Sequence, residues 1–322
     1  MQIKMTVENP GLLTTIQDLG RFGYEKFGMP VAGAMDGYAL QLANILVGNS
    51  RDEAGLEVSF IGLALKFQGN GLIAITGADL GVTLNGQNIK SWQSLEVKTG
   101  DLLTFASLKK GCRAYLAIQG GFDIPTVMGS KSTYLRGNIG GFKGRKLLMG
   151  DELRSNEVHQ KLSPEILPEE FIPRYDSKKI RVILGPQENY FTREELEKFF
   201  SSSYKITNQY DRMGYRLEGA AIKHSKEPDI ISDGIVPGSI QLPGHGQPII
   251  MLADSQTTGG YSKIATVIFV DLSILAQLMP GNDLCFEEVS IEKAHLLYKL
   301  QESKLTRVSE YMLERQEALV KQ

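Results

Sequence analysis

The sequence predicts a mainly β fold with minor helix, built as two β subdomains followed by a C-terminal helix. Three observations carry that prediction. Glycine is abundant, 34 of 322 residues, which suits many turns between short strands. Short apolar, often β-branched runs such as residues 72–75, 102–105, 114–118, 180–184 and 264–270 are bounded by turn residues. Helical periodicity is confined to a few short stretches and to the end of the chain.

Taken in order, residues 1–35 are rich in glycine, and residues 31–35 are small enough to read as a surface loop. Asp36 then begins a helix, with Ala39, Leu42, Ala43 and Leu46 on one face and Gly48 just past its end. From about residue 55 to 153 short strands alternate with turns. Asn85-Gly86 between two such strands is a strong hairpin signal. Residues 135–145 hold four glycines and three cations. They form either a solvated turn or an anion cradle; the spacing is not that of a Walker loop.

Three prolines and little periodicity mark residues 156–178 as a linker. The domain reading is therefore 1–155, linker 156–178, 179–290, and a helical segment 291–322. In the second half, Thr192 with Glu195 makes a capping box, and Phe191 with Leu196 a hydrophobic staple. Asn208 to Leu217 reads as a polar turn rising into a strand, with Arg212 and Arg216 as candidate carboxylate or phosphate clamps. Asp271 is expected to cap a short helix ending at Pro280-Gly281. Residues 290–322 read as an amphipathic helix with a packing or partner role.

Composition excludes several classes. The chain is long enough for two domains. With 35 basic and 37 acidic residues the net charge is -2, which offers no electrostatic case for nucleic acid or an anionic membrane. No apolar run approaches the roughly 20 residues of a membrane span, and the first residues lack the apolar core of a signal peptide, so a cytoplasmic protein is expected. Cys112 and Cys285 sit in apolar contexts and read as unpaired thiols. The four histidines show no metal-ligand spacing, and no metal site is expected.

One stretch concentrates candidate chemistry. Residues 237–261 surround an apolar strand, 249–253, that opens at Asp254 into a polar, glycine-closed loop. Asp254, Gln241, Gln256, Thr257 and Thr258 can fix a small polar molecule, and Gly259 and Gly260 let backbone turn or approach closely. The alternative is that Asp254 caps its own backbone in an Asx turn.

Two motifs carry a resemblance. PGLLTTIQDLGR from Pro10 leads to GAMD ending at Asp36, and PGSIQLP from Pro237 leads to LADSQTTGGY ending at Tyr261, with TGADL, RAYLAIQGGFD and DRMGYRL between. Together they resemble the allophanate hydrolase subunit 2, or biotin-dependent carboxyltransferase-like, family over about residues 5–290. Within it the chain most resembles the C subunits of 5-oxoprolinases. The resemblance implies a cyclophilin-like β-barrel and partnership with A and B subunits, of which B is smaller and kinase-inhibitor-like. It also implies ATP-dependent opening of 5-oxo-L-proline to L-glutamate. ATP is then the cofactor of the complex, bound by a chain left open.

It further implies a site near Asp254, shared with the B subunit. Asp254 would orient or deprotonate there and Arg212 would bind a carboxylate or phosphate. Gln241, Gln256, Thr257, Thr258, Gly259, Gly260 and Tyr261 would contact substrate. Gln17, Asp18, Arg21 and Asp36 would complete the site or a contact between subunits, or else hold their own loop. Other members imply two alternatives: sequestering a kinase inhibitor homologous to that B subunit, or serving a biotin-dependent urea or amide carboxylase. Ser262 stands where the family pattern leads one to expect proline. The amidase serines and lysine are absent, so no amide hydrolysis is expected of this chain alone.

Overall fold

The structure, a computed structural model, describes residues 2–320. Residue 1 of the expected first domain and residues 321–322 of the expected helical segment lie outside the described residues. The chain divides into two compact units: one takes the segment up to Arg21, Ala32–Pro173 and the chain from Glu302, the other Phe22–Val31 and Arg174–Gln301.

The first unit holds eleven strands: β1 (Lys4–Pro10), β2 (Leu13–Gln17), β3 (Gly55–Ser59), β4 (Leu63–Gln68), β5 (Gly71–Asp79), β6 (Val82–Leu84), β7 (Gln87–Asn88), β8 (Gln93–Val97), β9 (Leu102–Phe105), β10 (Lys110–Ile118) and β11 (Glu152–Arg154). They form two sheets, in the orders β11-β1-β4-β9-β6-β7 and β2-β3-β10-β5-β8. Alternation along β1 buries Met5 and Val7, and along β4 buries Leu65 and Phe67. These side chains join Ile16, Leu56, Val58, Ile75 and Leu116 of the other sheet in one core. At Asn85 and Gly86 φ is 52° and 80°, the signs that a two-residue hairpin turn between right-twisted strands requires.

Helix α1 (Gly37–Leu46) begins as the sequence indicates: Asp36 accepts from the Ala39 N–H at 3.0 Å. The residues before it do not form the expected surface loop. Ala32, Met35 and Asp36 are buried, because the Met35 N–H donates to Glu57 at 2.8 Å and the Ala34 N–H to the Asp18 carbonyl at 2.8 Å. Gly33 permits this: its φ is +88°, and a Cβ there would stand 2.9 Å from the Gly20 backbone.

The second unit contains β12 (Lys179–Leu184), α2 (Arg193–Ser201), β13 (Tyr204–Tyr210), β14 (Gly214–Gly219), β15 (Asp229–Gly234), β16 (Ser239–Leu242), β17 (Ile249–Met251), β18 (Thr258–Val267), α3 (Leu272–Gln277) and β19 (Asp283–Glu288). The sheet order is β12-β19-β13-β14-β17-β16-β18-β15, and β12 also pairs with β18. That extra pairing closes seven strands into a barrel and leaves β15 as an appended edge. Phe199 of α2 stacks on Phe286 at 4.6 Å between ring centres, and the Thr192 hydroxyl caps α2 at Glu195.

Two local expectations are corrected here. The strand read at 264–270 spans Thr258–Val267, so Gly259 and Gly260 lie inside a strand rather than in a loop. Asp271 makes no side-chain cap; it is buried against Arg181, accepting from its backbone N–H at 2.7 Å and from its guanidinium. Helix α4 (Ile291–Val320) ends the described chain. No described helix is long and apolar enough to cross a membrane.

Candidate functional site

The polar residues of the second unit fall into two groups. In the first, Arg212 follows β13 and Asp254 follows β17. The guanidinium donates to both carboxylate oxygens, Nε to Oδ2 at 3.1 Å and Nη2 to Oδ1 at 2.9 Å. Both side chains are buried. Backbone bonds run beside the pair, Asp254 N–H to Arg212 O and Leu252 N–H to Met213 O, each 2.9 Å. Asp254 thus meets the forked arginine, the geometry in which such a pair is strongest. The carboxylate that Arg212 clamps here is the protein's own.

The second group lies where β16 and β15 flank β18. Gln241 is the register partner of Lys263, and Asp233 that of Gly259. Gln241 is 2% exposed, and its amide makes a long 3.4 Å contact to the Tyr261 carbonyl. A Cβ on Gly259 would lie 2.7 Å from that amide nitrogen and 2.5 Å from Ile235. Glycine is needed here for close approach, not for a turn. The buried Lys263 ammonium donates to Asp233 at 2.6 Å and to the Gly234 carbonyl at 2.7 Å. That ammonium, with the Gly234 N–H, holds the Asp233 carboxyl below the usual carboxylate range. Gln256, Thr258 and Tyr261 are exposed, and Thr257 is half-buried.

Beside Lys263, the Ser262 hydroxyl is 2.9 Å from His224 Nε2, which also lies 3.1 Å from the Leu242 carbonyl. A protonated Nε2 would donate to the carbonyl, which can only accept. Burial lowers the His224 pKa, partly offset by the Leu242 carbonyl. A depressed histidine stabilises the fold above the unfolded value of about 6.5, and that stability is lost as the pH falls below it, because the unfolded chain protonates first. Melting temperatures between neutral and mildly acidic pH should fall more steeply for the wild type than for His224→Gln.

In the first unit, Gln17, Asp18 and Arg21 bind the segment 127–133. Asp18 accepts from Gly20 N–H, Ser130 Oγ, Lys131 N–H and Ser132 Oγ. Arg21 donates to the Val127 and Ser132 carbonyls, each at 3.0 Å, and Gln17 to Thr15 and the Thr133 carbonyl. Asp36 caps α1. All four are buried. The glycine-rich 135–145 loop packs by the same segment, and its Arg145 forks onto Asp151 at 2.7 and 2.8 Å rather than facing a free anion. Among the described residues Cys112 and Cys285 form no disulfide; the first is buried and the second partly so. No group of potential metal ligands occurs among the described residues.

Reasoning from sequence missed Lys263, Asp233 and Gln187, whose side-chain oxygen accepts the Lys263 N–H at 3.1 Å. One signal was available for the lysine: a single cation inside a strand, set between Ser262 and Ile264.

Comparison with known proteins assigns the family. The carboxyltransferase domain, subdomain A and B, matches residues 27–288. The chain is 37% identical over 284 residues to the C subunit of 5-oxoprolinase from Escherichia coli, covering 88% of this chain and 91% of that protein. It is 39% identical over 295 residues to the C subunit of 5-oxoprolinase from Haemophilus influenzae, covering 91% and 94%. The crystal structure of K. lactis urea amidolyase superposes with a TM-score of 0.90 at 33% identity, over 95% of this chain but only 20% of that one. With residues 27–288 matched, this chain belongs to the family of the carboxyltransferase domain, subdomain A and B.

Proposed function

We propose that this chain is the C subunit of a cytoplasmic, ATP-dependent 5-oxoprolinase that opens 5-oxo-L-proline to L-glutamate together with A and B subunits. The observation that carries this reading is coverage. The alignment takes in 91% and 94% of two free-standing C subunits, whereas the urea amidolyase match is a fifth of a longer chain. A lactam carbonyl is resonance-stabilised, and spending ATP on it is the expected way to make it reactive; the ATP requirement belongs to the complex.

In this reading Asp254 and Arg212 act as a positioning pair. Their fork holds the segment 252–257 that leads into β18, where Gln241, Gly259 and Gly260 approach substrate, with Gln256, Thr257, Thr258 and Tyr261 at its exposed side. Gln17, Asp18 and Arg21 act as scaffold for their own unit. The TM-score of 0.90 to urea amidolyase supports a second reading, a biotin-dependent carboxyltransferase component. A deletion strain separates the two. Loss of this gene should cause 5-oxoproline to accumulate and abolish growth on it as nitrogen source, with urea use intact. Normal 5-oxoproline clearance, or a defect in urea use alone, would contradict the first reading.

A further inference from the structure

Lys263 is 5% exposed yet offers three ammonium donors. Two reach acceptors, Asp233 and the Gly234 carbonyl. Among the described residues no acceptor takes the third. Its register partner Gln241 is in the complementary state. The Gln241 Nε2 leans on the Tyr261 carbonyl, but no described donor reaches its Oε1. Register partners on antiparallel strands project to the same face, so the unclaimed donor and the unclaimed acceptor belong to paired residues on one face of the sheet.

The surroundings point to a ligand rather than to a packing accident. Gly259 brings the β18 backbone directly against Gln241: a Cβ there would stand 2.7 Å from the amide nitrogen. The lysine's counterion stands toward solvent: the Asp233 side chain is 51% exposed on β15, the edge strand. A buried ammonium with an unmet hydrogen bond costs stability, and an incoming acceptor recovers it.

From this we infer that Lys263 and Gln241 form a recognition site for a cis amide, the ammonium donating to the amide carbonyl and Gln241 Oε1 accepting the amide N–H. A trans amide sends its N–H and C=O in opposite directions and cannot satisfy both groups, whereas a lactam presents them on one side. This inference rests on the 5-oxoprolinase reading and deepens it by assigning the lactam edge, not the substrate carboxylate, to these two residues. A cation on the carbonyl oxygen also stabilises negative charge that develops there when the ring is attacked.

The test uses the assembled complex of this chain with its A and B subunits. Lys263→Met and Gln241→Leu are each expected to raise the KM for 5-oxoproline at least about tenfold, the loss of one charge-assisted or buried hydrogen bond, with assembly and melting temperature retained. Pyrrolidin-2-one, a lactam without a carboxylate, should inhibit the wild type competitively, and N-methylpyrrolidin-2-one should not. Both variants should lose that inhibition. Wild-type KM values together with unaltered pyrrolidin-2-one inhibition in both variants would overturn the inference. So would equal inhibition by the N-methyl compound. If the wild-type complex does not open 5-oxoproline, the functional reading fails instead. Calorimetric binding of pyrrolidin-2-one to the complex, present in the wild type and absent in both variants, then still decides the site.

Discussion

Arg212→Leu is expected to destabilise the second unit by about 3–5 kcal/mol, because it leaves the buried Asp254 carboxylate without its counterion. The guanidinium reaches both oxygens of that carboxylate, and backbone bonds tie the same two turns together, so the loss should spread to the ends of β13, β14 and β17. The cost comes from the stranded charge and not from the size of the side chain. Arg212→Leu combined with Asp254→Leu should therefore recover much of the loss, as replacement of whole buried pairs commonly does. Urea unfolding of the single and double variants checks this. A double variant as unstable as the sum of the two singles would show that the pair is not coupled.

Asp18→Ala is expected to cost at least about 3 kcal/mol, since it strands several of the buried donors that converge on one carboxylate and each orphaned donor costs on the order of 1–3 kcal/mol. The loss should be local to the segment 127–133. Hydrogen exchange at the Lys131 amide, which donates to Asp18 at 2.5 Å, should speed up far more than exchange at Leu116 of β10, which is paired on both sides. Equal acceleration at both would indicate a global effect, and no acceleration would remove Asp18 from its bracing role.

What can be read from the sequence is what local chemistry decides. Asn85-Gly86, the Asp36 cap and Gly48 behind α1, the Thr192 cap of α2 and the short apolar strands each depend on a few neighbouring residues. Long-range pairing is not legible. β15 has exposed residues at nearly every position, including Ile231 at 96%, and is a strand only because β18 lies beside it. Residues 31–35 look like loop, but Ala32 and Met35 are buried and the segment is held by hydrogen bonds to Glu57 and Asp18, the first of them 22 positions away from its donor.

The candidate site divides in the same way. The glycine pair and Gln241 announce a close backbone approach, and Gly259 makes one. Asp254 and Arg212 each stand out in the sequence as a group for a ligand, while their partnership spans 42 residues and shows only once the barrel closes. Lys263 gains its meaning from Asp233 on the edge strand and Gln241 on the neighbouring one, neither adjacent to it in the chain.

The decisive measurement is turnover by this chain assembled with the proposed A and B subunits, on 5-oxo-L-proline and on urea side by side. If this chain belongs to a 5-oxoprolinase, ATP-dependent glutamate release from 5-oxoproline disappears when the chain is omitted, and urea gives no product. Glutamate release that persists without this chain, or biotin-dependent carboxylation of urea that requires it, would contradict that assignment.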